Sequence, residues 1–82
     1  MLAAGQKIER LSGRAQPLAR IVDSTPPNSP QRIAAARELC RVVKRCLELA
    51  VATGNPAIIE TAQSSAARVR EMCPVEAADV GL

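Results

Sequence analysis

Cys40, Cys46 and Cys73 are the only side chains here that combine nucleophilic with soft metal-binding character, and the chain contains no histidine. The commonest general base and the commonest metal ligand are thereby absent together. Arg41 and Lys44 stand close enough in sequence to lower the pKa of a neighbouring thiol. All three cysteines nevertheless fall inside apolar helical stripes, where a free thiol packs as a small inert core residue. On one helix Cys40 and Cys46 are about 120° apart. Cys73 lies about four residues farther from the intervening turn than Cys40 does, a spacing that three sulfurs converging on one ion do not show. No C-x-x-C pair is present, and a disulfide between Cys40 and Cys73 requires a slip in register. These residues predict no catalytic group, no cofactor and no metal, and hence a protein that is not an enzyme.

Arg37, Arg41 and Lys44 are the second constellation. They form a basic stripe opposite the apolar arc of their helix, joined by Arg45 at its margin and closed by Glu48. Like charges at this spacing weaken a helix by a few tenths of a kcal/mol per pair, so the stripe favours an acidic neighbour. The whole chain is asymmetric: residues 1–45 carry a net +6 and residues 46–82 a net −3. Phosphate neutralisation by the basic half is therefore a second expectation. Base stacking is excluded, because Phe, Trp and Tyr are all missing. Ala50 and Gly54 match the small residue and turn glycine of a helix-turn-helix. However, Asn55 stands where that motif needs an apolar residue, Glu60 falls at a core position, and Ala57, Ile58, Ile59 and Glu60 offer nothing to base edges.

The elements that must position these residues are helices. Thr53-Gly54-Asn55-Pro56 reads as a helical hairpin turn: Gly54 closes one helix in the left-handed conformation, Asn55 caps the next, and Pro56 suits its first turn. The preceding helix, over 30–53, has apolar positions from Ala36 to Val51 spanning an arc of about 200°, which demands neighbours on two sides. The following helix, over 56–73, has a narrower stripe, Ile58, Ile59, Ala62, Ala66, Val69 and Cys73, which demands one. Ahead of the hairpin, Ala4, Ile8, Leu11, Ala15, Leu18 and Val22 alternate by four and three, the seam of a helix laid against a helix. Pro17 deprives Gly13 of a hydrogen bond and predicts a kink or division near 13–17. The expected organisation is a first helical segment over 1–23, an extended proline-rich connector over 24–29, the hairpin over 30–73, and a flexible acidic tail over 74–82.

Eighty-two residues allow one domain, and fifteen of its thirty-nine apolar residues are alanine, so the core is thinly stocked. The expected fold is an all-α small helical bundle of about three helices built on the antiparallel hairpin and completed by association with another copy or a partner. No run resembles a signal peptide or the roughly 18 apolar residues of a membrane span, and the reading is a cytoplasmic protein. In shape and turn, residues 30–73 resemble the compact co-chaperones of bacterial type III secretion and small phage-encoded inhibitor proteins. The expected function is a protein-protein interaction module of adaptor, co-chaperone or inhibitor type. Leu39, Val43 and Leu47 are its packing contacts and Arg37, Arg41 and Lys44 its orienting charges.

Overall fold

Ser29 and Asn55 each hold the backbone extended and turn a side-chain oxygen onto the helix that follows. Ser29 Oγ accepts from the Arg32 amide at 3.1 Å, and Asn55 Oδ1 from the Ala57 amide at 3.0 Å. Proline occupies the next position in both cases, where its missing N–H costs nothing. The computed structural model, which describes residues 4–82, comprises α1 (Ala4–Ser24), α2 (Pro30–Thr53), α3 (Pro56–Met72) and α4 (Pro74–Val80), with no strand among the described residues. The first three positions of the expected 1–23 segment lie outside the described residues.

Gly54 closes α2 at φ 69°, its amide donating to the Val51 carbonyl at 3.1 Å. Nothing lies within 4 Å of a Cβ built there, so an added methyl group meets no neighbour and feels only backbone strain. Gly54→Ala is therefore expected to cost about 1 kcal/mol, readable as a lowered urea midpoint with an unchanged slope.

Three expectations need correction. First, of the kink or division expected near 13–17, the division does not occur: α1 runs as one helix, Ala4–Ser24, with Pro17 inside it. Gly13 and Pro17 are both exposed, so the carbonyl that Pro17 leaves unpaired faces water. Second, the connector is a tight turn and not an extended strap. The Ser29 amide donates to the Pro26 carbonyl at 3.1 Å, with Pro27 and Asn28 at the two central positions that suit them.

Third, the tail is a fourth helix. Pro74 disfavours the α conformation at the residue before it, and Cys73 indeed leaves α3 at φ −136°, ψ 62°. The chain then turns into α4, which ends in a left-handed Gly81 at φ 76°. The Leu82 amide reaches the Ala77 carbonyl at 2.8 Å and the Gly81 amide the Ala78 carbonyl at 3.2 Å. That pair of bonds is the Schellman closure, and Leu82 packs against the core as the closure favours.

α2 is the centre of the bundle: α1, α3 and α4 all pack on it. The short turns at either end of α2 make α1 and α3 antiparallel to it and parallel to each other. Ala36, Ala50 and Ala66 have no exposed surface, which places methyl groups where the helices approach closely. Val22, Leu39, Val43, Val69, Cys40, Cys73 and Ala77 complete one contiguous core. The α1 seam is observed along Ile8, Leu11, Ala15 and Leu18, all half-buried, and ends in the buried Val22.

Candidate interaction site

The broad apolar arc of α2 is shared among three neighbours, and two of them do not meet. Among the described residues, no Cα of α1 comes within 8 Å of one in α3. The gap is a groove of about 780 Å³ with Leu39, Val43 and Cys46 of α2 as its floor. Ile8, Ser12, Ala15 and Ala19 form the α1 wall, and Ile58, Thr61, Ser65 and Val69 the α3 wall. Apart from Gln16 and the two charges named next, the side chains on both walls are short or apolar, so a visiting helix can approach closely. Two charges border the groove: Glu9 early on α1 and Arg68 late on α3. Because α1 and α3 are parallel, these opposite charges stand toward opposite ends.

The structure places the six anticipated contact residues on different parts of the molecule. Leu39 and Val43 floor the groove at 2% and 6% exposure. Leu47 is half-buried against the core and does not line the groove. Arg37, Arg41 and Lys44 lie outside the groove, and Arg37 and Lys44 meet α4. Lys44 Nζ donates to the Val80 carbonyl at 2.8 Å, at the C-terminal end of α4 where a cation is favoured. Arg37 lies 3.8 Å from Asp79, and Arg41 lies 3.6 Å from Glu38. The acidic counterpart that the stripe asked for is thus supplied in part by α4 itself. Glu38 also receives Arg14 of α1 at 3.0 Å. These ion pairs are exposed, and each is worth at most about 1 kcal/mol. The groove walls escaped the sequence reading, although the arc of α2, too wide for one neighbour, was the signal for them.

Cys40 and Cys73 share one core cluster although their register offset them, while Cys46 lies outside it. Cys40 and Cys73 have no exposed surface, and all three thiols are free. Cys73 is the junction residue between α3 and α4, so counting helical turns from Gly54 does not locate its side chain. Within that shared cluster, Glu76 is close enough to Cys40 and Cys73 to raise both thiols. Burial, then the charges of Cys73 and Glu76, push the Cys40 thiol up to about 11. Cys73 is raised chiefly by burial and by Glu76, against the opposing pull of Arg32, whose guanidinium donates to the Met72 carbonyl at 3.3 Å. Burial raises Cys46 as well, with the Ser12 side chain acting in the opposite direction. Raised pKa values are the reverse of what an activated thiol nucleophile needs. No three His, Cys, Asp or Glu side chains among the described residues are grouped to hold a metal ion. Nor is any described helix long and apolar enough to cross a membrane. Compared with known proteins, the chain matches no family model, no curated protein and no solved structure.

Proposed function

We propose that this protein is a small non-enzymatic interaction module that receives an amphipathic helix of a partner protein in the groove between α1 and α3. The observation that carries this reading is the separation of α1 from α3 over a floor of Leu39, Val43 and Cys46. A helix presents apolar side chains at i, i+3, i+4 and i+7 along one stripe, the shape that a long apolar trough accepts. Glu9 and Arg68 set the direction. A helix is favoured with acids in its first turn and bases in its last, so the preferred visitor puts its acidic N-terminal end by Arg68 and its basic C-terminal end by Glu9. It then runs antiparallel to α1 and α3, and completes a four-helix packing with α1, α2 and α3. The engagement of Arg37 and Lys44 with α4 favours this reading over a nucleic-acid surface built on the same cations.

The probe is a synthetic helical peptide of about 17 residues, matching the length of α3, with leucine at the four stripe positions, acidic first and basic last turns, titrated into the labelled full-length chain by NMR. Amide shifts concentrated at Ser12, Ala19, Thr61 and Ser65 are expected. A peptide with its two charged turns exchanged should bind about tenfold more weakly. Ser65→Trp, at an exposed wall position, should block the peptide, while Arg37→Glu on the far side of α2 should leave it bound. Absence of shifts along both walls at millimolar peptide overturns the proposal.

A further inference from the structure

We infer that the outer face of α1 and α2, outside the groove, is a second interaction surface that binds the phosphates of double-stranded nucleic acid without reading its sequence. Lys7, Arg10 and Arg14 recur at i, i+3 and i+7 and therefore share one stripe of α1. Arg41 and Arg45 follow each other at i, i+4 on α2. Glu38 joins the two rows: it accepts from Arg14 at 3.0 Å across the helix pair and lies 3.6 Å from Arg41 on its own helix. None of these six residues lines the groove. Because α1 and α2 are antiparallel, Lys7 and Arg10 run from that junction toward the Arg45 end of α2.

The charge of the molecule is concentrated on this face. Its five cations are accompanied by two acids, Glu38 and Glu48, which leaves a net +3. That is the whole excess charge of the chain, since the six cations and six acids elsewhere cancel. A field of one sign on one face steers and holds a polyanion. The cations also remain accessible. Arg14, Arg41 and Arg45 keep 63%, 62% and 59% of their side chains exposed despite their ion pairs, and pairs so exposed are weak enough to exchange for phosphate. Lys7 and Arg10 are exposed and join no ion pair among the described residues. Arg37 and Lys44, which meet α4, are not needed.

The dimensions and residue types favour a duplex. The α1 row is about 10 Å long, and packed helices set the two rows about 8–10 Å apart. Over such a length a duplex carries about six phosphates. Four of the five cations are arginine, whose planar fork pairs with two phosphate oxygens at once. Single strands are bound largely by stacking on aromatic rings, and acidic membranes through Trp and Phe anchors beside the cations; the chain has neither kind of residue.

The test is fluorescence anisotropy of a labelled duplex DNA of about 20 base pairs and arbitrary sequence, titrated with the full-length protein at several salt concentrations. A Kd of about 10 µM or tighter is expected at about 20 mM salt, with a log-log salt slope of about −4 to −5 and the same affinity for an unrelated sequence. Arg10→Gln, which breaks no ion pair, should reduce the magnitude of the slope by about one, and Arg68→Gln, the same loss of charge at the groove border, should leave it as it was. Ser65→Trp, which closes the groove, should leave duplex binding unchanged, so this surface and the groove stand or fall separately. Circular dichroism establishes that each variant is folded. Four results overturn the inference: no binding by the folded protein at low salt, a slope near zero, equal effects of Arg10→Gln and Arg68→Gln, or tighter binding to polyglutamate or to phosphatidylserine vesicles than to the duplex at equal charge concentration.

Discussion

Leu39→Ala is expected to lower the stability of the folded chain by about 3 kcal/mol, the middle of the range for a fully buried leucine. Leu39 is 2% exposed and is the largest fully buried side chain in the protein. It also has few peers, since aromatic side chains are absent and much of the remaining apolar content is alanine. The helices around it cannot readily collapse into the vacated space. α1 and α3 are anchored to α2 on either side of the groove, and the tight alanine contacts at Ala36, Ala50 and Ala66 already set their spacing. In a domain of this size each kcal/mol shifts the melting temperature by about 4–8 °C, so the variant should melt roughly 10–25 °C lower. Far-ultraviolet circular dichroism during thermal and urea unfolding measures both quantities. A loss below about 1 kcal/mol would mean that the groove floor is wet or already loosely packed, and the trough would then be deeper than described above. Leu39 is consequently a poor residue for testing partner binding, because its loss confuses folding with recognition. Wall positions such as Ser65 are exposed and separate the two.

How far these features could be read from the sequence depended on the range over which each one is determined. The starts of α2 and α3 and the left-handed Gly54 were legible, because a cap, a proline and a glycine act within four residues. The seam of α1 was legible because its period repeats over five turns. The turn at residues 26–29 was misread as extended because three prolines suggest polyproline geometry, whereas Pro27-Asn28 also fits the centre of a hydrogen-bonded turn. α4 was missed because seven residues hold too few turns for a period to show. Its local signs, Pro74 at the start and Gly81-Leu82 at the end, were nevertheless present. The basic stripe was correctly located on one face of α2, but its engagement by Asp79 and Val80 depends on a chain reversal at Cys73 that no periodicity encodes. The groove is of the same kind. The 200° arc announced two or more neighbours for α2, while the failure of α1 and α3 to touch is a property of how three helices cross.

Raising the pH from 9 to 11 is expected to remove about 2 kcal/mol of stability through Cys40 alone. The unfolded thiol ionises near 9, whereas the folded one, desolvated and facing Cys73 and Glu76, holds its proton to about 11. Below pH 9 both states carry the proton and this site contributes no slope. Within the window the unfolded chain releases a proton that the native chain retains, so the unfolded state gains up to about 1.4 kcal/mol for each pH unit, the steepest fall lying midway. Cys46 and Cys73 are raised as well, and their contributions carry the same sign. With no histidine in the chain, no imidazole adds a slope between about pH 5 and 8. The measurement is a series of urea midpoints from pH 8 to 11 on the reduced protein, with Cys40→Ala as the comparison. The wild-type midpoint should fall steeply above pH 9 and the variant's less steeply; that difference isolates Cys40 from lysine titration, which both proteins share. The missing tyrosines add a direct readout, because thiolate absorbance is then free of phenolate overlap and should rise together with unfolding rather than before it. Parallel pH profiles for the two proteins would place Cys40 in contact with water in the folded state, against its complete burial in the core.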